Sequence, residues 1–409
     1  MSMEKYNKIH FIGIGGISMS SLAEILKSKG KTITGSDGVA SNVTKALENI
    51  GIQVSIGQKA ENITPDTDLI VYTAAVREDN PELMAARASG IETVDRAALV
   101  GMMMLEYKFP LSVAGTHGKT TTSSLVTEIF LEAKANPTVS IGGILPSIKG
   151  NYKVGGEDYF ILETCEYCDS FLKFNPHGAI ILNIDADHLD YFKNLDNIYK
   201  SFNKFANRLP EGGFLVINNE IPRLSEVLEG VKAKVITYGK DNTADWYPTD
   251  VTFNDLGHAT YTVNHKGEKV AKVELSIPGM HNVYNSLSAF ALATCYGVDT
   301  DAIVKGIKNF TGTDRRFQFK GQFNGVNVID DYAHHPTEIQ ATINSARGTK
   351  LNKLWIMFQP HTYTRTYNHL DDFAKVLSEA DHVILLDIYA SREKDTGLVS
   401  SKDLRDKIE

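Results

Sequence analysis

A run of nine residues, Val113-Ala114-Gly115-Thr116-His117-Gly118-Lys119-Thr120-Thr121, constrains this chain more than any other stretch. It closes the apolar segment LSVAG, which predicts a strand, and leads into TTSSLVTEIFLEAK, which reads as a helix. A glycine-rich turn between strand and helix belongs to an α/β unit with a parallel sheet. Backbone N–H groups in such a turn, added to the positive end of the helix, cradle phosphate oxygens. Lys119 would reach the β and γ oxygens of ATP, and the Thr120 hydroxyl would serve Mg²⁺. Gly115, Thr116, His117, Gly118, Lys119, Thr120 and Thr121 are therefore the expected ATP-binding loop. The common phosphate-loop pattern has glycine where Val113 stands, so this is a variant, and a purely structural turn with a surface lysine is the competing reading.

The 409 residues exceed the roughly 250–300 at which one core stops growing, so several domains are expected. From residue 8 to about 100, strand-like runs (IHFIGIGG, KTITGSD, DLIVYTAAV) alternate with helix-like ones, which predicts a Rossmann-like domain over 1–104. The phosphate-loop unit, with an antiparallel meander predicted near 245–278, occupies 105–312. A third alternation, VNVIDDY, PTEIQATINSARG, KLWIMFQP, LDDFAKVLSEA and HVILLDIY, predicts a second Rossmann-like domain over 313–409, entered through the linker TGTDRRFQF. Its last helix-like segment has no strand after it, so this domain is expected to be incomplete. The net charge of -8 lacks the basic stripe of a nucleic-acid binder, so an anionic ligand must be held locally. No signal-peptide pattern, no membrane-length apolar run and only three cysteines predict a cytoplasmic protein without a membrane partner.

Other motifs fall at predicted strand ends, where open α/β sheets bind ligands. Gly13-Ile14-Gly15-Gly16-Ile17-Ser18, with Asp37 about 20 residues on, suits any ligand combining ribose and diphosphate, so NAD and UDP-sugars are not separated by it. Glu163 ends YFILE, and Asn183, Asp185, Asp187 and His188 follow AIIL. Glu163 suits Mg²⁺; imidazole is an unusual Mg²⁺ ligand, so His188 is by chemistry either a ligand or a hydrogen-bonded loop residue. Cys165 and Cys168 lack the partners of a zinc site and the position of a redox motif. His281-Asn282 either caps a helix or faces a base, and Arg315-Arg316 either clamps phosphate or is solvated. The clusters Asp330-Asp331-Tyr332-Ala333-His334-His335-Pro336-Thr337-Glu338 and Gln359-Pro360-His361-Thr362-Tyr363-Thr364-Arg365-Thr366 occupy equivalent positions after two strands.

GIGGISMS, GTHGKTTT, LNIDADHLDYF, HNVYN, DDYAHHPTEI and FQPHTYTRT, in this order and spacing, resemble the Mur ligase family, nearest its L-alanine-adding branch. The resemblance implies an ATP- and Mg²⁺-dependent amide ligase acting on UDP-N-acetylmuramate and L-alanine. It implies that Gly13, Gly15, Gly16, Ile17, Ser18 and Asp37 serve the UDP substrate, and that Thr120, Glu163 and His188 serve metal. It places His281, Asn282, Arg316 and Asp331 at the nucleotide, and His334, His361 and Arg365 at the amino acid. Lys119, Glu163, His188, Arg316 and His334 are the implied catalytic set, with His334 as candidate base. Another Mur-type ligase, a nicotinamide-dependent dehydrogenase and a non-catalytic nucleotide binder are the alternatives. Oligomeric state is left open.

Overall fold

The computed structural model describes residues 3–391 and 393–408, which form three α/β units. The first is a parallel sheet of β1 (Lys8–Ile12), β2 (Thr32–Asp37), β3 (Gln53–Ile56), β4 (Leu69–Tyr72) and β5 (Glu92–Asp95), ordered 3-2-1-4-5. Ile9, His10, Phe11 and Ile12 are all buried, because helices cover both faces of such a sheet; hence the unbroken apolar run. The order reverses between β1 and β4, and the turn Gly13 to Gly16 leaves β1 at that switch point.

In the second unit β6 (Phe109–Ala114) lies between β9 (Tyr159–Glu163) and β10 (Gly178–Ile181). β7 (Thr138–Leu145) and β8 (Gly150–Lys153) extend one side of the sheet. β11 (Phe214–Asn218), β12 (Lys234–Tyr238) and the antiparallel β13 (Trp246–Phe253), β14 (His258–His265) and β15 (Glu268–Pro278) extend the other. The meander falls where the alternating pattern of 245–278 predicts it. Helices Lys119–Glu132, Met280–Cys295 and Thr300–Asn309 share one core through Ile129, Phe130, Leu287, Phe290 and Ile303. A second core is common to the first two units and joins Leu22 and Met103 to Phe171 and Phe205. Close approach there depends on Gly101, where a Cβ would lie 2.0 Å from the Lys173 carbonyl oxygen.

The third unit departs from the expected single alternation. β16 (Gln318–Phe323) and β17 (Val326–Asp330) form an antiparallel hairpin, separate from the parallel pair β18 (Trp355–Phe358) and β19 (His382–Leu385). The cause is Asn324-Gly325, whose φ angles of 47° and 81° make a two-residue turn matched to the twist of a hairpin. The expected linker therefore runs into β16 at Gln318. Helices Pro336–Arg347 and Leu370–Leu377 pack with β18 around Ile339, Ile343, Phe358, Phe373 and Leu377. Among the described residues no helix is long and apolar enough to cross a membrane.

Candidate active site

Because β6 lies between β9 and β10, the turns after these three strands converge at one edge of the sheet. The His117 N–H donates to Asn183 Oδ1 (2.8 Å) and Asn183 Nδ2 donates to the His117 carbonyl (3.0 Å), fastening the glycine loop to the end of β10. Gly118 starts the helix with φ 83°, a left-handed conformation suited to glycine. Thr120 Oγ1 donates to Glu163 Oε2 (2.8 Å), and the Gly142 N–H donates to the same oxygen (2.7 Å). The Lys119 ammonium is buried, donating to the carbonyls of Gly115 (2.6 Å) and Thr116 (2.9 Å) and pairing with Glu166 at 3.0 Å. Burial opposes its charge, but the acidic neighbours, Glu166 foremost, outweigh burial and hold its pKa above the ordinary lysine range. Burial pushes the neighbouring Cys165 thiol up to about 11, so it stays protonated and weakly nucleophilic.

A cavity of about 330 Å³ opens beside the loop, lined by His117, Gly118, Thr121, His281, Asn282, Arg316 and Asp331 among others. Residues from distant segments, all expected at the nucleotide, thus face one space. Burial lowers the His281 pKa to about 4, leaving a neutral ring. Asn282 Nδ2 donates to the Pro278 carbonyl (2.7 Å), and Asn285 Nδ2 donates to Asn282 Oδ1 (3.0 Å), which fixes the amide.

At this cavity His117 bridges two units. Its Nε2 lies 3.2 Å from Asp185 Oδ2, and its Nδ1 lies 3.4 Å from Glu338 Oε1 of the third unit. Burial disfavours the imidazolium, yet these two carboxylates raise the His117 pKa to about 9. Thr337 Oγ1 also donates to Asp185 (2.8 Å). His335 is 3% exposed, and burial together with the charge on His117 lowers its pKa to about 4.

A smaller cavity of about 210 Å³ brings His188 together with His334, His361 and Arg365. Arg365 crosses from the third unit to the second, 3.1 Å from Asp187, and both side chains are largely buried. His188 has φ 54°, and its burial keeps the ring neutral by lowering its pKa. The His334 ring is likewise depressed by burial; its Nδ1–H donates to the Tyr332 carbonyl (2.8 Å), leaving Nε2 as the proton acceptor. In the first unit, the Gly15 N–H donates to Asp37 Oδ2 (2.8 Å), and Arg96 donates to the Ser18 hydroxyl (3.1 Å).

Three family models cover most of the chain: the Mur ligase family catalytic domain over 8–108, the Mur ligase middle domain over 113–293, and the Mur ligase glutamate ligase domain over 315–409. The UDP-N-acetylmuramate–L-alanine ligase of Agathobacter rectalis is 53% identical over 398 residues, covering 97% of this chain and 87% of that protein. The ligase of the same name from Caldanaerobacter subterraneus subsp. tengcongensis is 49% identical over 408 residues, covering 100% and 88%. The chain belongs to the Mur ligase family. Among solved Mur ligases, the UDP-N-acetylmuramate-alanine ligase of Thermotoga maritima aligns with a TM-score of 0.80 at 30% identity, covering 98% of this chain and 87% of that one. A murein peptide ligase from Psychrobacter arcticus aligns at 0.74 and 26%, covering 98% and 88%.

The structure brings further residues to this Mur ligase's candidate site. Glu166, outside the expected set, sits on Lys119. Glu338, the end of the third-unit cluster, reaches His117 across two units, and Arg96, which lies in none of the motifs, reaches Ser18 from the start of the helix Arg96–Met104. Glu338 also completes the capping box of the helix whose N-cap is His335, so one carboxylate serves both the helix start and His117.

Proposed function

We propose that this chain joins L-alanine to the muramate carboxylate of UDP-N-acetylmuramate, driven by ATP, in the assembly of peptidoglycan precursors. The observation that carries this reading is a pair of cavities, each lined jointly by the second and third units. One is lined by glycine-loop and Arg316 side chains, the other by His188, His334, His361 and Arg365. The names of relatives near 50% identity over almost the full chain support the choice of substrates. Residues 1–104 would hold the UDP substrate through the turn Gly13, Gly15, Gly16, Ile17 and Ser18 with Asp37; 105–312 would hold ATP, and 313–409 the amino acid.

A carboxylate is a poor acyl donor, so phosphoryl transfer from ATP makes an acyl phosphate, which the alanine amine attacks with loss of phosphate. Lys119 and Arg316 offset charge on the transferring group. His334 Nε2 takes the amine proton. The Thr120 hydroxyl and Glu163 carboxylate are hard oxygen donors already in contact, which fits Mg²⁺, and we assign neutral His188 to the same role. When bound, Mg²⁺ supplies positive charge against the phosphate oxygens. The free thiols fit a reducing cytoplasm.

Phosphate release from Mg-ATP is expected only when UDP-N-acetylmuramate and L-alanine are both present; equal release with D-glutamate replacing L-alanine would sink the assignment. Gly142→Ala sets a second test. A Cβ at Gly142 would lie 2.4 Å from Glu163 Oε2, displacing the carboxylate from Thr120. Mg-ATP binding by titration calorimetry is expected to weaken about tenfold, and unchanged affinity would remove Glu163 from the metal role.

A further inference from the structure

We propose that His117, Asp185 and His335 form a binding site for a borderline transition-metal ion such as Zn²⁺ or Co²⁺, distinct from the Mg²⁺ position at Thr120 and Glu163. One ligand atom from each of the three lies within 4.8 Å of the others. Tetrahedral zinc, with bonds of about 2.0–2.2 Å, needs donors about 3.3–3.5 Å apart, within reach of small side-chain rotations. Two imidazoles and one carboxylate select such ions over Mg²⁺, which prefers oxygen donors.

Two further observations point to a ligand. The His335 Nε2 is buried without a hydrogen-bond partner, a costly state for a polar atom. Glu338 lies 3.4 Å from His117 Nδ1, on the ring edge opposite Asp185, the carboxylate-histidine arrangement that orients metal-ligating imidazoles. Binding would displace one proton from the His117 ring to solvent. The His335 proton would move from Nε2 to Nδ1, giving up the long 3.3 Å contact from the Thr337 N–H. Water would fill the fourth position. His117 and Asp185 lie in the middle domain and His335 lies in the C-terminal domain, so the ion would tie the two together beside the nucleotide cavity.

The test is titration of the purified full chain with CoCl₂, followed by visible absorption. A one-to-one complex with the intense bands of four- or five-coordinate cobalt is expected. His335→Asn keeps a helix N-cap and removes the ligand, so it should weaken cobalt binding by more than about tenfold. His188→Asn should leave the spectrum unchanged. If His335→Asn does not fold, Asp185→Asn is read in its place, with the same expected loss. Absence of the bands in the wild-type chain overturns the proposal, as does a spectrum that survives His335→Asn and disappears in His188→Asn.

Discussion

Lys119→Ala is expected to lower phosphate release by about a thousandfold, roughly 4 kcal/mol of transition-state stabilisation. The same substitution removes one half of a buried pair, since Lys119 and Glu166 are 14% and 4% exposed and 3.0 Å apart. An uncompensated Glu166 should destabilise the fold by about 3 kcal/mol or more. The two effects separate in Lys119→Ala/Glu166→Gln, which should recover much of the stability, read by urea denaturation, and none of the turnover. Recovery of turnover in the double variant would mean that Lys119 only neutralises Glu166. In the structure the ammonium rests on the loop's own carbonyls and on Glu166. Nucleotide phosphates must draw it from these partners, which makes Glu166 a competitor for Lys119 as well as its neutraliser.

The second large effect is a pH dependence of the contact between middle and C-terminal domains. His117 has a folded-state pKa of about 9 against an ordinary 6.5, so its pairing with Asp185 and Glu338 stabilises the fold fully below about pH 6.5. That contribution, on the order of 3 kcal/mol, is lost as pH rises through 9. Both carboxyls are held below their usual range, with the His117 hydrogen bond the chief cause that lowers them and burial opposing it, so from their side the contact fails only in acid. The melting temperature of the wild-type chain should fall between pH 6.5 and 9 relative to that of His117→Gln, which lacks the titrating group. Parallel profiles for the two chains across that interval would show that His117 carries no such linkage.

Much of the fold was readable because its signals are local. The run KIHFI, the turn Gly13 to Gly16, the loop Gly115 to Thr121 and the alternation in 245–278 each report strand burial, turn geometry or sheet type within a few residues. The one departure, the separate hairpin that opens the third unit, also has a local cause. Asn324-Gly325 is a hairpin turn, and it pairs β17 with β16 and not with the later strands.

The sequence by itself determined which residue types stand at strand ends: a lysine and hydroxyl after one strand, a carboxylate after the next, histidines and acids beyond. Their partners were decided only by tertiary structure. That Glu166 meets Lys119, that Glu338 and Asp185 share His117, and that Arg365 spans to Asp187 are contacts over 47 to 221 residues. No periodicity encodes them, because strand order and the stacking of units, not spacing along the chain, set which charged groups meet. The charge state of His117 follows from that meeting, since two carboxylates from different units must both reach one buried ring before its proton is held.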